Sequence, residues 1–137
     1  MKRVLLICLL LTACSKPQPA EAPQPVVQAP APVVDTWPGK YEGDLMVRIS
    51  GTPGAHKLIL VAATADSCTG DIGLAGGELA KEISPAELRL DLHPDDKTAC
   101  TIDIKKVGDV LSVSESGICT VYHGLSCSFN GTAKRLK

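Results

Sequence analysis

The 137-residue chain is 45% apolar and carries 14 basic against 15 acidic side chains. That near balance gives no electrostatic footprint for nucleic acid, and the length admits one domain with a real core. With one Trp, two Tyr and one Phe in the whole sequence, the core has to be built from Val, Leu, Ile and Ala.

The chain opens with Lys2 and Arg3, then an apolar run from Val4 to Leu11, then Leu11-Thr12-Ala13-Cys14. This reads as a secretory signal ending at a cysteine. Leu, a small or polar residue, Ala and Cys in that order resemble the lipobox of bacterial lipoproteins. The resemblance implies cleavage after residue 13 and acylation of Cys14. Losing Lys2 and Arg3 leaves 12 basic against 15 acidic residues, a net charge of −3. The Val4–Leu11 run is far too short to span a bilayer, and no other stretch approaches the roughly 20 apolar residues required. Stable anchoring needs at least two acyl chains, and lipoprotein-type modification supplies three. Ser15 follows the lipid site where an Asp would hold such proteins at the inner membrane. The resemblance therefore implies the outer membrane, facing the periplasm, with the inner membrane and the cell surface left open.

Residues 14–36 form the linker. Ser15 to Thr36 reads SKPQPAEAPQPVVQAPAPVVDT, and its prolines fix φ and remove donors, so neither helix nor sheet ladder can form. The segment should sample extended polyproline II and reach about 65 Å at roughly 3.1 Å per residue. Its PxxP runs carry no flanking basic residue, which favours a spacer over a recognition motif.

Residues 37–137 form the domain. Trp37-Pro38-Gly39-Lys40-Tyr41-Glu42-Gly43 bends into a first strand, Lys40 to Ile49. This aromatic-glycine entry resembles small lipocalin-like barrels, where an aromatic plugs one end. Gly51-Thr52-Pro53-Gly54 is a turn, and Lys57 to Ala62 is apolar enough for a strand buried on both faces. Ser67 to Asp71 reads as a turn, Ile72 to Ala75 as a short strand, and Glu78 to Ile83 as a helical turn or an edge strand. Leu88 to His93 alternates with period two, Leu inward and charges outward. His93 to Lys97 turns the chain, its two Asp explained by turn chemistry. Cys100–Ile104 and Val110–Ser114 flank Val107-Gly108-Asp109, a hairpin signal, with Cys100 facing the core. A loop from Ser116 leads to a final strand around Ser126 to Ala133. These elements predict an all-β fold of seven or eight strands, a small antiparallel barrel or sandwich stapled by disulfides.

Apart from Cys8 and Cys14, four cysteines remain: Cys68, Cys100, Cys119 and Cys127. An even count in an exported small domain implies two disulfides with three connectivities. Cys119-x3-His123-x3-Cys127 would also supply three zinc ligands, with His56 or His93 as a fourth, but an oxidising compartment favours disulfides. Closing the two loops Cys68–Cys100 and Cys119–Cys127 contributes about 3.7 and 2.5 kcal/mol in the chain-entropy account. That pairing is favoured, because Cys100–Cys119 would need cysteines offset by roughly 7 to 13 Å along a hairpin. No metal or cofactor is implied.

No catalytic set is evident. Disulfides remove the free thiolate that Cys–His chemistry requires. Ser126 near His123 lacks a partner acid, and Glu115 and Glu42 read as isolated surface carboxylates. What remains is non-catalytic binding, through the membrane by lipid and to a periplasmic protein. In size and layout the domain resembles the membrane-bound lysozyme inhibitors of Gram-negative bacteria, which carry a Ser-Gly-x-x-Tyr loop. Here Ser116-Gly117 is followed by Tyr122 two positions late, so the resemblance nominates Ser116 and Tyr122 as contacts. His123 joins them on the Ser116–Cys127 loop. The competing expectation is a structural or assembly accessory of the envelope without a ligand pocket.

Overall fold

A computed structural model describes residues 34–64 and 68–137. The signal, Cys14 and the proline-rich run up to residue 33 lie outside the described residues. Ten strands, β1 (Gly39–Gly43), β2 (Met46–Ser50), β3 (Lys57–Thr64), β4 (Cys68–Ile72), β5 (Glu78–Leu79), β6 (Lys81–Ser84), β7 (Glu87–Asp95), β8 (Thr98–Val107), β9 (Val110–Gly117) and β10 (Gly131–Arg135), are joined by turns and one helical turn, α1 (Thr120–His123).

The fold is all-β and antiparallel throughout, as the alternation requires. The strands form one open sheet in the order β4-β3-β2-β1-β10-β9-β8-β7-β6, with β5 paired to β3. Ten strands replace the expected seven or eight, and the sheet does not close on itself by hydrogen bonding. Strands β1 to β5 and β6 to β9 form two wings, and β10 lies between them, pairing with β1 on one side and β9 on the other.

Alternation makes the core. Leu58, Leu60 and Ala62 on β3, Leu88, Leu90 and Leu92 on β7, and Cys100, Ile102 and Ile104 on β8 point to one face and are buried. They join Val47, Ile49, Leu111, Val113 and Phe129 in a single cluster drawn from both wings. Each of the buried Val, Leu, Ile and Phe side chains contributes roughly 1.5–3 kcal/mol by leaving water. On the outer face Arg89 and Asp103 are cross-strand partners, their side chains 2.6 Å apart.

Four expectations are corrected. The first strand is a hairpin: Asp44 accepts from Thr132 N and Oγ1 at 2.8 and 3.0 Å and returns its own N–H to Thr132 O at 2.8 Å. Those bonds hook the chain onto β10 and break it between β1 and β2. Strand β3 is buried on one face only, with Ile59 and Val61 half-buried on the other. Residues 68–72 are strand rather than turn, and the strand stops there, with a turn at 74–76. Gly70 in β4 explains the misreading, since a Cβ there would collide with His123 of α1, and a strand glycine of this kind marks close backbone approach. The final strand starts at Gly131, because Phe129 is drawn into the core ahead of it.

The linker boundary also moves. Asp35 accepts from Trp37 N at 3.0 Å and pairs with buried His56 at 3.0 Å, and Lys106 Nζ reaches Thr36 Oγ1 at 2.8 Å. Asp35 and Thr36 therefore belong to the domain and not to the spacer.

Candidate binding loop

Between β9 and β10, residues 118–130 form a loop that packs His123 of α1 against Gly70 of β4. Gly117 sits at φ +83°, a left-handed conformation open to glycine, and turns the chain back so that Ile118 N donates to Ala99 O at 2.8 Å. This brings Cys119 beside Cys100, with Cα atoms 4.8 Å apart, and the two are bonded. At the far end Cys127 is bonded to Cys68 on β4, with Cα atoms 5.4 Å apart. The favoured pairing of Cys68 with Cys100 and Cys119 with Cys127 is thus overturned. The supposed offset along the hairpin does not exist, since Gly117 ends the extended strand before Cys119. Because β8 and β4 lie in opposite wings, the two bridges tie both wings to one loop.

A buried polar contact fixes the middle of the loop. His123 Nε2 lies 3.0 Å from Glu115 Oε2, His123 Nδ1 lies 2.6 Å from Gly124 O, and the same Glu115 oxygen accepts from Phe129 N at 2.9 Å. Oxygens on both sides of the ring thus fix its orientation. The Phe129 ring meets the imidazole edge-on, centroids 5.1 Å apart. Glu115 is therefore not an isolated surface carboxylate. It orients the histidine and holds the start of the return strand.

The nominated contacts separate. Ser116 is exposed at the end of β9, Tyr122 is half-buried against the core cluster, and His123 is buried. Burial, with a smaller push from Glu78, raises the Tyr122 phenol above its ordinary pKa. His123 is a structural group beneath the loop and presents nothing to a partner. What the loop does present is Ile118, Val121 and Leu125, which are 53%, 55% and 93% exposed. An apolar residue every third or fourth position in the charge-free run 116–133 is the signal that could have singled them out. Beside the loop lies an open cleft of about 620 Å³ bordered by Asp44, Leu125, Ser126 and Asn130.

The zinc reading does not assemble, because its two thiols are in disulfides with other partners. His56 lies at the opposite end of the sheet, and His93 is exposed on β7. That opposite end holds the start of the domain. Tyr41 donates its hydroxyl to Trp37 O at 2.9 Å, and the Arg135 guanidinium lies 4.7 Å above the Tyr41 ring and donates to Pro38 O at 2.7 Å and to Thr36 O. The length of β9, eight residues or about 25 Å, separates this chain entry from the loop.

No protein-family model, curated protein or solved structure matches this chain.

Proposed function

We propose that the protein is a lipid-anchored, non-catalytic binding module of the bacterial envelope, carried at the outer membrane and facing the periplasm, and that residues 118–125 form its contact surface for a periplasmic protein. One observation carries this reading: a charge-free loop fixed by two disulfides and a buried Glu115–His123 contact holds three apolar side chains out in solvent. A loop so constrained loses little ordering entropy on binding. Isolated exposed apolar residues need no explanation; their shared place on one constrained loop is what supports the contact reading. The non-catalytic part rests on chemistry. Both nitrogens of His123 are engaged by Glu115 and Gly124, so neither is free to take a proton from Ser126. The loop also stands at the end of the sheet away from the chain entry at Val34.

The test is capture from envelope extract by the mature chain, with lysozymes added in a separate arm. Ile118→Asp together with Leu125→Asp abolishes capture and leaves the melting temperature within a few degrees, as surface substitutions do. Capture that survives this pair sinks the binding role and favours the structural accessory. Labelled palmitate that fails to enter the wild-type chain, while entering a control lipoprotein, sinks the anchor.

A further inference from the structure

From the unequal settings of the two disulfides, we infer that Cys68–Cys127 is a thiol-exchange site, opened by a thiol or dithiol reductant, and that its opening frees one half of the contact loop. The inference rests on the proposed function only for what that release does to partner capture.

Cys100 and Cys119 are 0% and 3% exposed and both belong to the core cluster. An incoming thiolate reaches their bridge only if the core opens. Cys68 and Cys127 stand outside that cluster. Cys68 is buried, but Cys127 is half-buried, and both border the open cleft beside Leu125 and Ser126. Exchange proceeds by attack of a thiolate on one sulfur, so its rate follows access. Exposed disulfides are accordingly the labile and regulatory ones.

The exchange balances with the reductant alone. Its thiolate attacks Cys127 Sγ, the bond between the two protein sulfurs breaks, and Cys68 Sγ leaves with the electron pair and takes a proton from water. A second thiol attacks the mixed disulfide and expels the Cys127 thiolate, which is protonated in turn. The reductant ends as a disulfide, and the protein has gained two electrons and two protons.

The loop is built so that this one bond matters. Ile118 stays fixed by the bond from its N–H to Ala99 O and by the neighbouring Cys100–Cys119 bridge. Phe129 is held at the far end by the core and by Glu115. Between them the backbone of residues 125–128 makes no hydrogen bond among the described residues. The Cys127 bridge is therefore the tie on the stretch that carries Leu125. Opening it leaves Ile118 in place and lets Leu125 move, which restores the ordering cost that the closed loop avoids.

The experiment exposes the mature chain, both bridges formed, to rising reduced glutathione, traps free thiols with N-ethylmaleimide and maps the label by fragmentation mass spectrometry. Cys68 and Cys127 are expected to label at least about tenfold faster than Cys100 and Cys119. A dithiol oxidoreductase stripped of its resolving cysteine should be trapped on Cys127. Chymotryptic cleavage after Leu125 should then rise about tenfold in the selectively opened chain, since cleavage tracks local opening, while cleavage after Leu90 in the core stays unchanged. Cys68→Ala/Cys127→Ala should show the fast cleavage without reductant and ignore its addition; the wild-type measurements stand alone if that variant does not fold. Labelling of Cys100 and Cys119 first, labelling of all four in step, or unchanged cleavage after Leu125 overturns the inference. Capture by the closed chain that survives selective opening overturns its bearing on the contact surface. Absence of capture by the closed chain sinks the proposed function instead, and the label order and cleavage still decide the exchange site.

Discussion

Glu115 and Asp35 hold opposite ends of the molecule, each through a histidine. Glu115→Ala strands the Phe129 N–H and one His123 N–H inside the loop, and a buried unpaired donor costs about 1–3 kcal/mol. Chemical denaturation should show the variant at least 2 kcal/mol less stable on that basis, with the disulfides still formed. Asp35 is read through acid. Burial raises its carboxyl pKa, but the Trp37 N–H and the His56 pairing outweigh burial and hold it below the ordinary value. A depressed carboxyl stabilises the folded state above the unfolded pKa of about 3.9 and loses that contribution as pH falls through its lower folded value. Emission of Trp37, the one tryptophan, should therefore hold steady from neutral pH to about 4 and change below it. Asp35→Asn should remove that acid step. Neither carboxylate's role was legible in the sequence. Asp35 sits amid prolines, and the partners of Glu115 approach only after Gly117 has reversed the chain.

Among the elements, β7, β8 and β9 were readable because their side chains alternate and Gly108 supplies the turn between two of them, at φ +59°. Turn chemistry at Gly43-Asp44 was also present, but its hold on Thr132 lies 88 residues away. Disulfide pairing was hidden for the same reason, since it depends on how a strand ends. It is checked by tryptic digestion without reductant. Cleavage at Lys57, Lys81, Lys97, Lys105, Lys106 and Lys134 places Cys68 and Cys100 on separate peptides and leaves Cys119 with Cys127 on a third. The observed pairing keeps all three joined, whereas pairing Cys68 with Cys100 would free the third. The bridges span 59 and 19 residues, so losing them costs about 4.3 and 3.3 kcal/mol in the chain-entropy account. Cys68→Ala/Cys127→Ala should accordingly be the more damaging pair in thermal melts.

Taken whole, the domain has a chain-entry end and a loop end, joined by a sheet whose middle is built from residues far apart in the chain. Tyr41 and Arg135, in register on β1 and β10, are 94 residues apart in sequence. An all-β domain was predictable from periodicity alone, but the sheet order was not, because no local pattern records a pairing at that distance. Deleting residues 131–137 should abolish cooperative unfolding by circular dichroism, since each wing then faces water along the seam that β10 fills. The placement of that strand also bears on biogenesis. A polypeptide threaded through a translocase N-terminus first cannot unite its halves until residues 131–135 have crossed. Contacts at long sequence separation form late, after the loop-closure entropy is met. On the proposed export route the secretion machinery would handle a chain that is still pliable, and maturation would wait on its release on the far side.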